Sequence, residues 1–459
     1  MSLIPQEFIP IEPLQNAIER QARDWQQEQR LPEALGCFLR RERPRLDGHD
    51  GGPIVRDGES PSDACVRVVP VMRETALSIQ GPPGTGKTYT AAKAVLDLIA
   101  GGRRVGITSN SHKAVLNLLA KCADRNGADL RCLKVGGDED DPMLQKIPGV
   151  RWVGGGRDAF ALSRDYTLVG GTAWHFCRAE MRQAVDYLFI DEAGQVSVAN
   201  LVAMAAAARN LVLVGDQMQL GQPTQAQHPE DSGESTLEYL LQDERTVPAD
   251  TGVFLDTTYR LHPHICQVNS EAFYEGKLHS APGCENREIR IPAGGSGILT
   301  RGAGIVFVPV EHEGNTQGSD EEAEVVRELF DELQGLEYTG DRREVVGRLG
   351  VEDVLVVAPY NMQVRRIRDV LPPGARVGSV DKFQGQEAPV VIVSMCASEG
   401  RYSPRGIEFL LNPNRLNVAL SRAQSLAIVV GHPGLATTRC RTLEQMKLVN
   451  LYCRIVGNR

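Results

Sequence analysis

A chain of 459 residues is long enough for two or three domains, each burying its own core. Charged residues make up 24% and the formal net charge is −9, which argues against an indiscriminately basic wrap around nucleic acid but leaves room for a local basic channel. No apolar run is long enough to span a bilayer, Met1 to Pro10 lacks the basic and apolar regions of a secretory signal, and ten cysteines occur without a CxxC pair, pointing to buried reduced thiols in a cytoplasmic protein and away from a zinc or iron–sulfur site.

Leu14, Ile18, Ala22 and Trp25 recur at helical spacing. Pro32 ends that pattern, and a second short helix is expected from Glu33 to Arg41. Arg43 to Ser62 is rich in Gly, Pro and Asp and reads as loop or hairpin. The basic run Arg40, Arg41, Arg43 and Arg45 reads as a solvated face in preference to a nucleic-acid contact. Asp63 to Met72 is expected to lead, as a helix, into the apolar run Ala76-Leu77-Ser78-Ile79.

The most specific stretch follows. Gly81-Pro82-Pro83-Gly84-Thr85-Gly86-Lys87-Thr88 lies between an apolar strand and a helical segment running to Ala100. Its glycines allow a tight turn whose N–H groups surround a β-phosphate. Lys87 adds a point charge near the β- and γ-phosphates, and Thr88 can offer its hydroxyl to Mg²⁺. A bare glycine turn without ligand is the weaker reading of so complete a string.

Beyond it, Arg103 to Thr108 reads as a strand, and Ser109 to Val115 opens a helix. Ser111, His112 and Lys113 at that helix start can hold a backbone phosphate, although a simple cap with surface polar residues is the stronger reading of them alone. Leu168 to Ala173 is another strand with small residues at its end. Tyr187 to Ile190 then runs into Asp191-Glu192. Asp191 suits Mg²⁺ and Glu192 suits activation of water. An Ala-rich helix over Ala199 to Ala208 precedes the strand Leu211 to Val214 and the polar turn Gly215 to Leu220. Apolar strand, polar C-terminal edge and helix thus repeat, the pattern of an open parallel sheet that binds ligands at that edge.

The second half repeats the theme. Gln222 to Glu234 reads as exposed loop. Phe254 to Pro263 carries Tyr259, suited to stacking on a nucleobase, and Arg260, suited either to the γ-phosphate or to a surface salt bridge. His262 and His264 bracket Pro263, where turn and packing roles outweigh a metal pair. Ile305 to Val310, Val354 to Ala358 and Val390 to Val393 read as strands, and Asp320 to Leu333 as a helix with an acidic first turn. Arg365, Arg366 and Arg368 give the helix after Asn361 a basic face. Arg422 ends the helical Asn414 to Ala423 stretch as a second arginine-finger candidate. Leu426 to Val430 is expected to close the sheet, and Thr442 to Cys453 to form a final helix.

Taken in order, GPPGTGKT (81–88), TSNSHKAV (108–115), DEAGQ (191–195), GDQMQL (215–220), TYRLHP (258–263), VDKFQGQE (380–387) and NRLNVALSRA (414–423) resemble the superfamily 1B helicases of the nonsense-mediated-decay, Upf1-like group. SHKAVLNLL and YLFIDEAGQVSVANLVAMA narrow the resemblance to the helicase half of bacterial RecB-like nuclease–helicase fusions. The resemblance implies an α/β P-loop NTPase of two tandem RecA-like domains, with ATP between them. Boundaries follow at 1–75 for an N-terminal helical region, 76–250 and 251–432 for the two domains, and 433–459 for a C-terminal helix.

By the same resemblance, Gly81, Pro82, Pro83, Gly84, Thr85, Gly86, Lys87 and Thr88 bind ATP. Thr88 and Asp191 hold Mg²⁺, Glu192 activates water, and Gln219 senses the γ-phosphate. Arg260 and Arg422 are the fingers, Tyr259 contacts the base, and Glu387 lies near the ribose or the path between the lobes. Val66 to Ser78 contains no glutamine where family members read adenine with one. The implied activity is 5′-to-3′ ATP-dependent translocation on single-stranded nucleic acid, DNA in preference to RNA. The alternative is a regulatory ATPase or loader beside a nuclease partner. Residues 1–75 hold no nuclease-like D…ExK set.

Overall fold

A computed structural model describes residues 10–126, 130–221, 228–292, 297–383, 385–400 and 404–457. Met1 to Ile9 at the N-terminus, residues 222–227 of the expected exposed loop and Gln384 of the VDKFQGQE stretch lie outside them. The chain forms two compact units. The first runs through Gly81 and takes in Gly86–Gln217 and Gly221–Leu255; the second is Asp256–Arg459 with two short stretches, Pro82–Thr85 and Met218–Leu220.

In the first unit, the strands are β1 (Ala76–Gln80), β2 (Val105–Thr108), β3 (Cys132–Val135), β4 (Val150–Val153), β5 (Leu168–Gly170), β6 (Val185–Asp191), β7 (Ala208–Gly215) and β8 (Gly252–Phe254). They form one sheet in the order β4-β3-β5-β2-β6-β7-β1-β8, with every pairing parallel. Its helices are α1 (Glu12–Glu28), α2 (Glu33–Leu39), α3 (Pro61–Val68), α4 (Lys87–Ala100), α5 (His112–Asn126), α6 (Arg157–Ser163), α7 (Ala173–Phe176), α8 (Val198–Met204) and α9 (Thr236–Leu241). β1 and β2 are buried at every position, as expected for strands covered on both faces.

Local chemistry sets the helix ends. Ser60 caps α3 by accepting the Asp63 N–H, and Ser235 with Glu238 forms a reciprocal capping box on α9. The phosphate-loop helix begins at Lys87 because Gly86, at φ 79°, turns the chain there. The Ala-rich helix is shorter than expected. It stops at Met204, and Ala205–Ala207 tighten into a 3₁₀ turn that delivers the chain to β7. No hairpin forms among the described residues of 43–62; an isolated bridge between Leu46 and Met72 pins that loop instead.

In the second unit, β9 (Thr257–Thr258) pairs with β10 (His279–Ser280), and β12 (Glu337–Thr339) with β13 (Val345–Arg348). The main sheet contains β11 (Gly304–Pro309), β14 (Val354–Val357), β15 (Arg376–Gly378), β16 (Ala388–Ser394) and β17 (Ala423–Gly431), parallel throughout in the order β11-β17-β16-β14-β15. Around it lie α10 (Pro263–Phe273), α11 (Asp320–Leu333), α12 (Asn361–Val370), α13 (Gly406–Leu410), α14 (Pro413–Leu420) and α15 (Leu443–Val456). The last strand does not close the sheet at an edge. β17 sits between β11 and β16, because β11, earlier in the chain, adds on its outer side. The two units are therefore each a parallel sheet flanked by helices, the architecture of tandem RecA-like P-loop lobes.

Candidate nucleotide site

In the first unit, the ends of β1, β6 and β7 lie side by side, because β7 pairs with both of the others. Gly81 N–H donates to the Gly215 carbonyl at 2.9 Å. Lys87 Nζ curls back on its own loop and donates to the Gly81 carbonyl at 2.5 Å. Lys87 and Thr88, in the first turn of α4, are half-buried. β6 delivers Asp191, which is buried, and Glu192, which is half-buried and left-handed at φ 53°. That reversal turns Glu192 out of the strand, an uncommon conformation for a residue with a Cβ. Asp191 accepts the Glu192 N–H at 3.0 Å. Burial first, and then the Glu192 charge, push the Asp191 carboxyl up, while Lys87 pulls it down.

The turn after Glu192 is packed on the end of β7. A Cβ on Gly194 would stand 2.6 Å from the Asp216 carbonyl oxygen, and one on Gly215 would stand 2.8 Å from the Ala193 nitrogen. Only glycines permit that approach, so the DEAGQ and GDQMQL stretches share one wall. Arg245 holds this wall through its carbonyl, which accepts from Gln217 at 2.7 Å and from Gln80 at 2.9 Å.

The second unit holds the crown of the phosphate loop. Thr258 Oγ1 donates to the Pro83 carbonyl at 2.9 Å, and Tyr259 N–H to the Gly84 carbonyl at 2.9 Å. Gly84 has φ 77°, and a Cβ there would lie 2.4 Å from the Arg260 Cβ. Gln219 is buried in the 218–220 stretch of the same unit. Tyr259 is 63% exposed, while its backbone is fastened on both sides. Arg260 forms an ion pair with Glu387, Nε to Oε2 at 2.5 Å, and its Nη1 donates to the Ser421 carbonyl at 3.2 Å. Gln424 donates to the other Glu387 oxygen at 2.9 Å. Arg422 is buried and its Nη1 donates to the Gln386 carbonyl at 3.2 Å. The structure thus gathers Arg260, Glu387 and Arg422 around two loops, 386–387 and 421–422. His262 caps α10, accepting the His264 N–H at 3.3 Å.

Sequence reasoning passes over Arg287. It donates to the Arg260 carbonyl at 2.6 Å and the Tyr259 carbonyl at 3.1 Å and pairs with Asp341. It lies in an irregular stretch with no periodicity to mark it. Asn417 is likewise visible in sequence only as part of a motif; it is fully buried and donates to Met218 O and Tyr274 Oη, each at 2.7 Å. No group of three or more His, Cys, Asp or Glu side chains placed to hold a metal ion occurs among the described residues. Among them, too, no helix is long and apolar enough to cross a membrane.

Parallel sheet, glycine-rich loop at a helix start and paired carboxylates at the end of the next strand but one define a P-loop nucleotide-binding protein. Two AAA-domain family models match, over residues 64–234 and 233–434. The chain is 27% identical over 419 residues to the DNA polymerase alpha-associated DNA helicase A of Schizosaccharomyces pombe, covering 78% of this chain and 61% of that one. It is 28% identical over 408 residues to the regulator of nonsense transcripts 1 homolog of Drosophila melanogaster (77% and 33%). It is 25% identical over 415 residues to the DNA replication ATP-dependent helicase/nuclease DNA2 of Gallus gallus (87% and 39%). The chain therefore spans less than two thirds of the length of these relatives. These matches make it a Upf1/Mov10-like, helicase-related ATPase of the superfamily 1 kind.

Proposed function

We propose that this chain hydrolyses ATP and uses the turnover to move 5′ to 3′ along single-stranded nucleic acid, DNA in preference to RNA. The observation that carries the reading is the joint presence of a phosphate loop with its lysine, a buried Asp191 beside a turned-out Glu192, and two arginines held on adjacent loops of the second unit.

The residues fit a magnesium–nucleotide pair. Asp191 is a buried carboxyl whose ionised form burial disfavours, and a divalent cation would restore it. Thr88 and Asp191 would hold Mg²⁺, which when bound neutralises phosphate charge. Lys87 would leave the Gly81 carbonyl for the β- and γ-phosphates. Glu192 would orient water and accept its proton. Gln219 would report the γ-phosphate, Arg260 and Arg422 would stabilise the charge that develops on it, and Tyr259 would lie against the base. Glu387 would retain Arg260 until nucleotide arrives.

The name of the Gallus gallus relative, a helicase/nuclease, supports a second reading, in which the chain is a regulatory ATPase or loader for a nuclease. ATP turnover measured with single-stranded DNA and RNA in parallel, beside unwinding of a 5′-tailed duplex, separates the two. Stimulated turnover with unwinding is expected. Strong stimulation without unwinding favours the loader, and absence of turnover defeats both.

A further inference from the structure

The loop that follows β10 carries one arginine that reaches back to the TYRLHP stretch. Arg287 Nη1 donates to the Arg260 carbonyl at 2.6 Å, Nη2 donates to the Tyr259 carbonyl at 3.1 Å, and Nε pairs with Asp341 Oδ1. Its side chain is 15% exposed, against 52% for Asp341. Two consecutive carbonyls and a carboxylate thus lie round one planar fork. A guanidinium meets such a set at once, and a lysine ammonium, a point charge, does not.

The fork is aimed by the turn between β12 and β13. The Asp341 carbonyl accepts from Asn286 Nδ2 at 2.7 Å, and Asn286 Oδ1 accepts from Arg343 Nε at 2.7 Å. Thr339 Oγ1, at the end of β12, donates to the Asn286 carbonyl at 2.6 Å. Gly283, at φ 98°, lets the loop close on this turn: a Cβ there would stand 3.1 Å from Asp341 Cβ. The residue before Arg287 and the carboxylate beside it are therefore fixed by the same turn.

The backbone that Arg287 grips is held from the phosphate loop as well. Tyr259 N–H donates to the Gly84 carbonyl at 2.9 Å. Both backbone groups of Tyr259 and the carbonyl of Arg260 are taken, and the Arg260 N–H donates to Thr258 Oγ1 at 3.3 Å. The main chain of Arg260 is tied down separately from its side chain, which pairs with Glu387.

We propose that Arg287 is a positioning residue for nucleotide hydrolysis: with Asp341, it fixes the backbone from which Arg260 reaches the γ-phosphate. This rests on the reading of Arg260 as an arginine finger. A misplacement of about 1 Å at a reacting centre costs about 10²-fold in rate. Arg287 acts through Arg260, so removing it costs no more than removing Arg260 itself.

The test is ATP hydrolysis by the full chain with ATP varied, in single turnover for the slow variants. Arg287→Ala should lower kcat about 10²-fold and leave KM within about threefold. Arg287→Lys keeps the charge without the fork and should stay about tenfold down. Asp341→Ala should fall about tenfold, and Asp341→Asn, which still accepts the Nε–H, should stay within about threefold. The deciding readout is the Arg260→Ala background, where Arg287→Ala should lower kcat no further, within about twofold. A merely structural residue lowers it by the same factor in both backgrounds. Asp341→Ala, at a half-exposed side chain, gives the same comparison if Arg287→Ala does not fold. Wild-type kcat in Arg287→Ala, a loss confined to KM, or equal losses in the two backgrounds overturns the proposal. Near-normal turnover in Arg260→Ala defeats the finger reading and this proposal together; an inactive Arg260→Ala beside a fully active Arg287→Ala defeats the proposal alone.

Discussion

Arg260 and Glu387, 127 residues apart, form an ion pair in which the arginine is the more buried partner. Arg260 also donates to the Ser421 carbonyl, next to Arg422, so one finger candidate is tied to the loop that bears the other. Truncating Arg260 to Ala should cost about 10³-fold in kcat, within the range of arginine fingers, with nucleotide affinity changed only a few-fold. Lysine should not rescue, since it lacks the planar fork. Steady-state ATPase with nucleotide-binding titration checks this, and near-normal turnover in Arg260→Ala would remove it from the mechanism.

Glu192→Gln keeps the shape of the turned-out side chain and removes its basicity. Hydrolysis should fall by about 10²–10⁴, while ATP is still bound and single-strand affinity in its presence is retained. Rapid mixing followed by product quantification decides; an unimpaired chemical step would assign the base elsewhere.

Two glycines separate backbone strain from collision. Gly84 and Gly102 both have positive φ, 77° and 76°, but a Cβ on Gly102 meets nothing within 4 Å, whereas one on Gly84 strikes Arg260 Cβ and Thr258 Oγ1. Gly102→Ala should therefore cost only about 1 kcal/mol. Gly84→Ala should also lose ATP turnover, because its carbonyl anchors Tyr259. Thermal denaturation beside ATPase rates tests the contrast, and equal effects of the two changes would contradict it.

His175 is buried between Phe160 and Phe176 and shares a hydrogen bond with Ser163. Burial first, and then Lys134 and Arg178, depress it to about 4. The native state thus binds fewer protons than the unfolded chain between pH 4 and the unfolded value near 6.5. Its contribution is fully present above pH 6.5 and is lost as pH falls through that window. At pH 5 the loss is roughly 2 kcal/mol. Urea denaturation at pH 7.5 and 5 should show it, and His175→Gln should shrink the difference. A pH-independent midpoint in that range would refute the assignment.

The sequence alone determined the order of strands, loops and helices that carry the candidate nucleotide site, because phosphate binding needs particular residue types at short, fixed spacing. Lys87, Thr88, Asp191 and Glu192 each stand within one local strand–turn–helix unit, so chain order sufficed to single them out as the candidates proposed above. Apolar runs likewise marked β1, β6 and β16 as strands. Tertiary structure decided what depends on distant partners. The interior place of β17, the hold of Arg287 on Tyr259 and Arg260, and the pairing of Arg260 with Glu387 join residues whose separation carries no periodic signal. Lys134 shows the reason most plainly. In sequence it is one lysine in a short apolar run, and only the fold buries it and brings the Val135 and Gly136 carbonyls and Nδ1 of His112 to its ammonium.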